Sequence, residues 1–570
     1  MQSDDFKFFE EPIRSEIFTP LRMELHAESL ARAQKIETSG RRGKSFRDRV
    51  RDNGRILEKS YKYLLQSAEE NRAITPAADW LINNFHIVRT QLKDIHDHLP
   101  PKFYRELPKL VQGPFAGYPQ VYGIAWAFVA HTDSRFDPDL LKKFLKSYQS
   151  IQVLTIGELW ALSITLRLVL MENLRRLSVR IVGSQMARKE ADQLADELLA
   201  LGPKSSSRSP SEIVKCLNKK PVIVNAFIVQ LLQRLRFQDP LVEPVLLWLE
   251  GELAKKNLGP DEVAATEHQS QLGANATVRN IITSSRLISA FNWQEFFEEI
   301  SLVDDVLRTY PLYEKMDFIT RNRYRKALED LAKRSTMSEI EVAQEIISLK
   351  QDPGYFLIDQ GREVIEKKIG YKVSWVSYFL RKYIKGATGF YISFILGLTL
   401  IILFGLLPTQ SFYILVVLGF FSASEIALTI VNRITVALLG PHHLPRLSLR
   451  EGLPVEARTF VVIPTMFSNE AQAEEQINDL EIHYLSNPEK NMFFALLSDF
   501  LDSSFENLPK DSVILEHAEE RITRLNDKYP TEDVVDRFYV FHRKRLFNPK
   551  ENLWMGWERK RGKLEEFNAL

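Results

Sequence analysis

Cysteine is nearly absent from this chain: its 570 residues contain one, Cys216. A single cysteine excludes an intramolecular disulfide, which fits a reducing compartment. An excess of charge of one sign is also missing, since the net charge is +1 and no basic block is interleaved with aromatics. This balance argues against a nucleic-acid-binding protein. Residues 1–11 lack the apolar core of a signal peptide, so we expect none there.

One internal segment lacks charge altogether. No charged residue occurs over 386–424, and two apolar runs, 388–407 and 412–431, lie on either side of a polar turn that contains Pro408. Each run has about the 20 residues that a helix needs to cross a bilayer. The pattern predicts two transmembrane helices, a hairpin over 386–432, while a buried hairpin in a large soluble core is the alternative.

Basic residues flank both ends of this hairpin. They are Arg381, Lys382 and Lys385 before it, and Arg433, Arg446 and Arg450 after it. By the positive-inside rule, both flanks are predicted to be cytoplasmic and the Pro408 turn to face outward. Glu425 is the ionisable residue of the second run. Such a residue usually faces protein or a water-lined path, although it could equally be a packing contact, so Glu425 is kept as a site candidate beside that alternative.

Upstream of the hairpin the pattern is helical. Thr75 and Pro76 form the start of a helix, and Thr155 with Glu158 forms a capping box before an apolar helix. One helical stripe follows Thr75, formed by Leu81, Phe85, Val88, Leu92 and Ile95. Residues 45–375 are therefore predicted to be an all-α cytoplasmic region. Residues 1–44, which are polar and weakly periodic, are predicted to be a flexible tail.

No chemistry is assigned to this helical region. His96, Asp97 and His98 invite a metal interpretation, but residues two apart do not share a helix face, and histidines at a helix end often act as caps. Glycine and aromatics are dense over 115–123, as in some sugar-binding loops, but this composition is more often that of tight helix connections. No metal site is predicted anywhere in the chain.

After the hairpin, strand and helix patterns alternate. Strands are predicted at 459–464, 492–497 and 538–541, with helices at 471–485 and 512–527 between them. This order predicts an open α/β sheet, in which ligands bind at the carboxyl ends of the strands. Those ends hold Thr465, Asp499 and the basic run 542–545. Asp499 could simply cap a turn and the basic run could be a solvated face, but their convergence favours a nucleotide site.

The last residues combine cations, a glycine and an amide. Lys563 could neutralise phosphate charge, Gly562 could let the backbone approach a ligand closely, and Asn568 could hydrogen-bond a sugar or base. The chain ends two residues later, without the acidic residues that such chemistry needs. We therefore expect the chain to be the amino-terminal part of an enzyme.

Several strings of residues resemble the amino-terminal part of the bacterial cyclic β-1,2-glucan synthases. They are 104–110 (YRELPKL), 117–119 (GYP), 121–123 (VYG), 131–133 (HTD), 154–160 (LTIGELW), 172–177 (ENLRRL), 316–318 (MDF) and 554–563 (WMGWERKRGK). The resemblance implies an inner-membrane glycosyltransferase with a GT-A domain similar to that of the processive, inverting cellulose synthases. Such enzymes transfer glucose from UDP-glucose, with Mg or Mn, to a growing β-1,2-glucan.

The resemblance also implies roles for particular residues. Pro464 and Thr465 would lie at the uridine side, Asp499 at the uracil or ribose, and Lys563 and Asn568 at the diphosphate and the sugar edge. Glu470 would match an acidic loop residue, although the loop here is longer because of Phe467 and Ser468.

The catalytic base and the metal-binding aspartates are expected beyond residue 570, so 455–570 is predicted to be a truncated, amino-terminal half of the GT-A domain, inactive alone. The partners implied are UDP-glucose, the growing glucan and the lipid bilayer, with no nucleic acid. The alternative is a non-enzymatic membrane scaffold or sensor with a degenerate α/β tail.

Overall fold

The computed structural model describes residues 10–37, 45–199, 214, 224–236, 242–255, 258–406, 413–439, 444–531 and 535–570. Cys216 and the predicted turn at Pro408 lie outside these ranges. The chain divides into two compact units. The first comprises Met1–Tyr313 with Asn322–Arg433, and the second comprises Glu314–Arg321 with Ile434–Leu570.

The chain up to the apolar segment is almost entirely helical, as predicted. Its helices are Pro20–Ala33, Phe46–Glu69, Pro76–Asn83, Phe85–Asp97, Pro101–Glu106, Gln120–His131, Pro138–Gln149, Ile156–Leu198, Asn225–Leu235, Glu243–Lys255, Pro260–Ala290, Trp293–Ile300, Leu302–Leu307, Pro311–Lys315, Phe318–Lys333, Glu339–Ser348, Pro353–Ile358, Arg362–Lys368 and Trp375–Lys385. Two short strands, β1 (Ile36–Glu37) and β2 (Lys109–Leu110), pair antiparallel. They were not predicted, because two residues are too few to show an alternating pattern.

The centre of the first unit is the helix Ile156–Leu198. It starts with the predicted capping box, in which the Thr155 side chain accepts from the Glu158 N–H and the Glu158 carboxylate accepts from the Thr155 N–H. Over its first half nearly every side chain is buried. A helix that is buried on all sides needs neighbours on all sides, and the surrounding helices supply them.

The stripe after Thr75 forms two helices instead of one. Thr75 accepts from the N–H of Ala78, as its position predicted. At Asn84 the backbone leaves the helical region, with φ −114° and ψ 15°, and Phe85 starts a second helix. The spacing of apolar residues continues across the break, so periodicity alone could not show it.

The predicted flexible tail over 1–44 is wrong for residues 10–37. The helix Pro20–Ala33 buries Met23, Ala27 and Ala31, and Ile13 is buried as well. The Ile13 N–H donates to Oδ1 of Asn173 at 2.7 Å. The buried stripe is mostly alanine, which contributes little to a hydrophobic pattern, and this is why the sequence looked unstructured.

Two apolar helices, Ala387–Leu406 and Tyr413–Leu439, match the predicted hairpin. Both are long and apolar enough to cross a membrane, and only 11% and 17% of their apolar windows are buried. This low burial counts against the alternative of a hairpin inside a soluble core. The Tyr391 hydroxyl donates to Oδ1 of Asn432 at 2.6 Å, so the two helices lie side by side at that level.

Glu425 lies on an exposed side of the second apolar helix. The buried positions of that helix, Ala423, Ala427 and Val431, form a separate stripe at intervals of four residues. The role of Glu425 as a site residue stays a prediction.

The second unit contains a parallel sheet with the predicted alternation of strands and helices. Strands β3 (Thr459–Phe467), β4 (Met492–Phe500) and β5 (Phe538–Arg543) lie in the order β3-β4-β5, and all pairs are parallel. Between them come the helices Glu470–Ser486 and Pro509–Lys528. These helices pack on one face of the sheet around a core that includes Ile477, Phe494 and Ile522.

The rest of this unit covers the other face of the sheet in part. Strands β6 (Leu546–Asn548) and β7 (Leu553–Met555) form an antiparallel pair, and the helix Arg559–Ala569 follows. From this helix, the Phe567 ring contacts the rings of Phe460 and Phe541, with centroids 5.7 and 5.3 Å away. The predicted start of this domain at 455 is too late, because the Asp317 N–H donates to the Arg446 carbonyl at 2.9 Å and ties both segments into the unit.

Candidate functional site

The carboxyl ends of the three parallel strands bring the predicted polar residues to one place. In the sheet register, Thr465 on β3 lies opposite Ser498 on β4, and Met466 lies opposite Asp499. Asp499 in turn lies opposite Arg543 at the end of β5. Asp499 therefore has a neighbouring strand on both sides.

Asp499 is fully buried and forms ion pairs with two cations. Its Oδ2 accepts a hydrogen bond from Nη2 of Arg543 at 2.9 Å. Its Oδ1 lies 2.8 Å from the ammonium nitrogen of Lys563. A carboxylate with no water contact needs such partners, since removing it from water uncompensated would cost several kcal/mol. We call Asp499, Arg543 and Lys563 the charged cluster.

Lys563 joins a third predicted residue to the charged cluster. Its Nζ also donates to the carbonyl oxygen of Thr465. The structure thus connects Thr465, Asp499 and Lys563, although Thr465 and Lys563 are 98 residues apart in the sequence. Pro464 lies one residue before Thr465 on β3, in register with Leu497.

Arg543 is the residue of this cluster that the sequence pattern did not single out. Besides Asp499, its guanidinium donates to the Trp557 carbonyl at 3.1 Å and to Oε1 of Glu566 at 3.0 Å. It thus connects the end of β5 with the last helix. Its position at the end of a predicted strand, in the basic run 542–545, was the available signal. Arg545 of the same run points elsewhere and pairs with Asp511.

Gly562 does allow a close approach, but the approaching groups belong to the protein. A Cβ at this position would lie 2.4 Å from the Trp557 carbonyl oxygen and 2.6 Å from Nη1 of Arg543. The glycine is therefore needed for the last helix to reach the charged cluster. Gly562 thus lies against protein groups, and not against a ligand as predicted.

Burial lowers the pKa of two side chains here. Burial lowers the pKa of Lys563, while the adjacent Asp499 carboxylate raises it and offsets part of the effect. Burial likewise lowers the pKa of His542 to about 4. At neutral pH His542 is uncharged, and its Nδ1 is hydrogen-bonded to Oγ of Ser498 at 2.9 Å. His542 is thus a neutral part of the sheet, whereas Arg543 carries the charge beside it.

A cavity of about 240 Å³ adjoins the charged cluster. Its lining includes Leu497, Val540, His542, Arg543, Lys563 and Phe567. Pockets for small ligands usually measure about 300–1,000 Å³, so this cavity has room for a part of a sugar nucleotide. The lining also holds the Glu566 carboxylate, which accepts from Arg543, and the ring of Phe541, so cations, a carboxylate and aromatic rings border the same cavity.

Two predicted residues are not joined to the charged cluster by any hydrogen bond or ion pair in the part of the chain that the structure describes. Glu470 is the first residue of its helix and is exposed, after the Asn469 side chain caps the helix by accepting from the N–H of Gln472 at 2.8 Å. Asn568 is exposed near the end of the last helix. Their roles in substrate binding stay predictions.

No three His, Cys, Asp or Glu side chains come together as a metal ion would need, within the described ranges. At the sheet, both oxygens of Asp499 face cations, so these residues do not fit a divalent metal. In the helical region, Nδ1 of His98 is hydrogen-bonded to the Asp94 carbonyl at 2.9 Å, as a helix cap would be.

Comparison with known proteins gives one informative relative. No protein-family model matches the chain. The chain is 35% identical over 550 residues to the cyclic β-(1,2)-glucan synthase NdvB of Rhizobium meliloti (strain 1021), a match that covers 92% of this chain and 19% of that protein. The chain thus spans about a fifth of the length of the curated relative that it matches. The resemblance predicted from the sequence strings is confirmed: over these 550 residues the chain is similar to one part of a cyclic β-(1,2)-glucan synthase.

Proposed function

We propose that this chain forms the donor-binding part of a membrane glucosyltransferase that builds cyclic β-1,2-glucan from UDP-glucose. The similarity to NdvB supports the reaction class and the product. The two long apolar helices support a membrane location. The basic flanks of the hairpin support an inner-membrane protein whose flanks are both cytoplasmic, where sugar nucleotides are made.

The observation that carries this proposal is the contact of Lys563 with both Asp499 and the Thr465 carbonyl. Ligands of open parallel sheets bind at this edge. A lysine ammonium is a point charge that binds phosphate well. In the proposed complex, Lys563 moves from Asp499 to the diphosphate, and Asp499 then accepts hydrogen bonds from the uracil or ribose.

Arg543 keeps the site intact while Lys563 changes partner. It holds Asp499 through Oδ2, the oxygen that Lys563 does not contact. The Asp499 carboxylate therefore stays paired when a nucleotide takes the ammonium away. A buried carboxylate that lost both cations would be strongly destabilised.

Transfer of the sugar requires groups that we do not assign to this chain. An inverting transfer needs a carboxylate to deprotonate the acceptor hydroxyl, and a divalent metal to stabilise the leaving diphosphate. The described residues do not fit that metal, so the complete enzyme would hold the Mg or Mn with other residues. We propose that this chain binds UDP-glucose without transferring it, and that Pro464, Glu470 and Asn568 contact the donor.

The proposal is tested by measuring UDP-glucose binding to the chain in detergent by isothermal titration calorimetry. Lys563→Gln is compared with Lys560→Gln, an exposed lysine on the same helix. Asp499→Asn is compared with Asp527→Asn, an exposed aspartate of the same unit. We expect each cluster variant to weaken binding about tenfold or more, as loss of a charge-assisted hydrogen bond does, and each control to bind as the unchanged protein does.

Two results would contradict the proposal. Equal UDP-glucose affinity in Lys563→Gln and Lys560→Gln would show that Lys563 does not bind UDP-glucose. Absence of UDP-glucose binding to a folded, unchanged protein would favour the non-enzymatic scaffold.

A further inference from the structure

The helix Trp375–Lys385 carries an unusual exposed face. Trp375, Tyr378 and Phe379 are 81%, 56% and 61% exposed, and Lys382 is exposed beside them. These four positions follow the spacing i, i+3, i+4 and i+7, so they share one side of the helix. We call them the aromatic face. Three large aromatic rings in water are unfavourable, which means that another phase or molecule covers them.

The aromatic face lies directly next to the membrane-spanning segment. The helix ends at Lys385, and the apolar helix Ala387–Leu406 begins two residues later. At the same end of the hairpin, Tyr391 bonds to Asn432, and the exposed Arg433 follows Asn432. The aromatic face is therefore continuous in the chain with a surface that lipid covers.

Another side of the helix is tied to the helical region. The Arg381 guanidinium donates to both carboxylate oxygens of Glu366, at 2.7 and 2.6 Å. Glu366 also accepts from Nε of Arg362 at 3.0 Å. This bidentate pair fixes the rotation of the helix about its axis. Arg381 borders the aromatic face next to Tyr378, while Trp375 and Phe379 lie about 120° and 160° from Arg381 around the helix axis and are held away from Glu366.

We propose that the helix Trp375–Lys385 lies in the headgroup layer of the bilayer and binds anionic phospholipid through its aromatic face. Trp and Tyr are enriched at this layer, because their rings are apolar and their N–H or O–H group reaches water. Lys382 extends its ammonium to lipid phosphate along the same side. The inference rests on the membrane location within the proposed function and is independent of UDP-glucose binding.

The position of Trp375 is tested in nanodiscs made of phosphatidylcholine and phosphatidylglycerol that carry bromine near the headgroups. Bromine quenches tryptophan fluorescence on contact. We expect the unchanged protein to be quenched and Trp375→Phe to lose most of that quenching. Trp293→Phe, on the helix Trp293–Ile300 of the helical region, is the matched control and is expected to keep it.

The role of Lys382 is tested by titrating phosphatidylglycerol into protein held in neutral micelles. The readout is the emission shift of Trp375, taken as the difference between each protein and its Trp375→Phe form. We expect Lys382→Gln to need about fivefold more lipid for the same shift, the effect of one cation beside an anionic surface. Lys326→Gln, an exposed lysine elsewhere in the unit, should behave as the unchanged protein does.

Three results would overturn the inference. Quenching of Trp375 by aqueous iodide and not by brominated lipid would place it in water. Identical phosphatidylglycerol titrations of Lys382→Gln and the unchanged protein would show that the aromatic face does not bind anionic lipid through Lys382. A Trp375 emission that follows the protein-to-lipid ratio would assign the face to a second copy of the chain. None of these results would alter UDP-glucose binding, so the two proposals fail separately.

Discussion

Gly556 stands directly against Asp499. A Cβ added to Gly556 would lie 2.3 Å from Oδ2 of Asp499, the oxygen that accepts from Arg543. Gly556 follows β7, so the antiparallel pair of short strands closes over the charged cluster at this point. The absence of a side chain here is what lets the buried carboxylate keep its two cations.

Gly556→Ala is expected to destabilise the second unit. The added methyl group must push Asp499 away from Arg543, and overpacking of this kind costs about 1–3 kcal/mol. The thermal unfolding midpoint in detergent measures the effect. Gly251→Ala is the control, because nothing lies within 4 Å of a Cβ there and alanine favours its helix. An unchanged midpoint in Gly556→Ala would show that the cluster can shift freely.

Arg543→Met is expected to cost about 3–5 kcal/mol, because it removes one cation from a fully buried carboxylate. Asp499→Asn removes the charge that needs the cation, so the double variant should be less destabilised than the sum of the two single variants. The thermal unfolding midpoints of the unchanged protein, the two single variants and the double variant give the coupling between Arg543 and Asp499 as a double-mutant cycle. Arg561→Met is the control, since this exposed arginine makes surface pairs worth about 1 kcal/mol or less. Additive effects would mean that Arg543 and Asp499 do not act as a pair.

Two buried carboxyls predict a loss of stability as the pH rises. Burial raises the pKa of Glu158 and of Glu339 to about 7, from 4.5 in the unfolded chain. The folded state therefore holds protons that the unfolded state has released. The resulting stabilisation is complete below pH 4.5 and is lost as the pH rises through 7. Each group changes the free energy of unfolding by about 1.4 kcal/mol per pH unit inside this window.

Glu158→Gln should flatten this pH dependence, since glutamine is uncharged and still completes a capping box. The measurement is the unfolding midpoint between about pH 5 and 8. Glu341→Gln is the control, because this exposed glutamate occupies the same place in the capping box of Ser338. If Glu158→Gln and the unchanged protein lose stability equally with pH, the Glu158 carboxyl is not the titrating group.

Much of the fold could be predicted because its signals are local. The capping box of Thr155, the cap at Thr75, the two apolar helices and the alternation of strands and helices from β3 to β5 all arise from short stretches of chain. The break at Asn84 could not be predicted, because the apolar stripe runs through it without a change of phase. The buried helix Pro20–Ala33 was missed because its contact stripe is largely alanine.

The candidate site was predictable in part for the same reason. Thr465 and Asp499 lie at strand ends, and parallel strands place their carboxyl ends together. Arg543 was visible only as one of several basic residues, and nothing in the run 542–545 distinguishes it from Arg545. The sheet register separates them, since Arg543 lies opposite Asp499 and Arg545 turns to Asp511.

The sequence by itself determined the helical region, the two long apolar helices and the alternating α/β segment, because helix and strand patterns arise from hydrogen bonds and burial over short stretches of chain. Only the tertiary structure decided which two cations pair with Asp499 and why Gly556 must lack a side chain. Those contacts join positions far apart in sequence, such as Lys563 and Thr465. Their geometry depends on the packing of the last helix against the sheet, which no local pattern encodes.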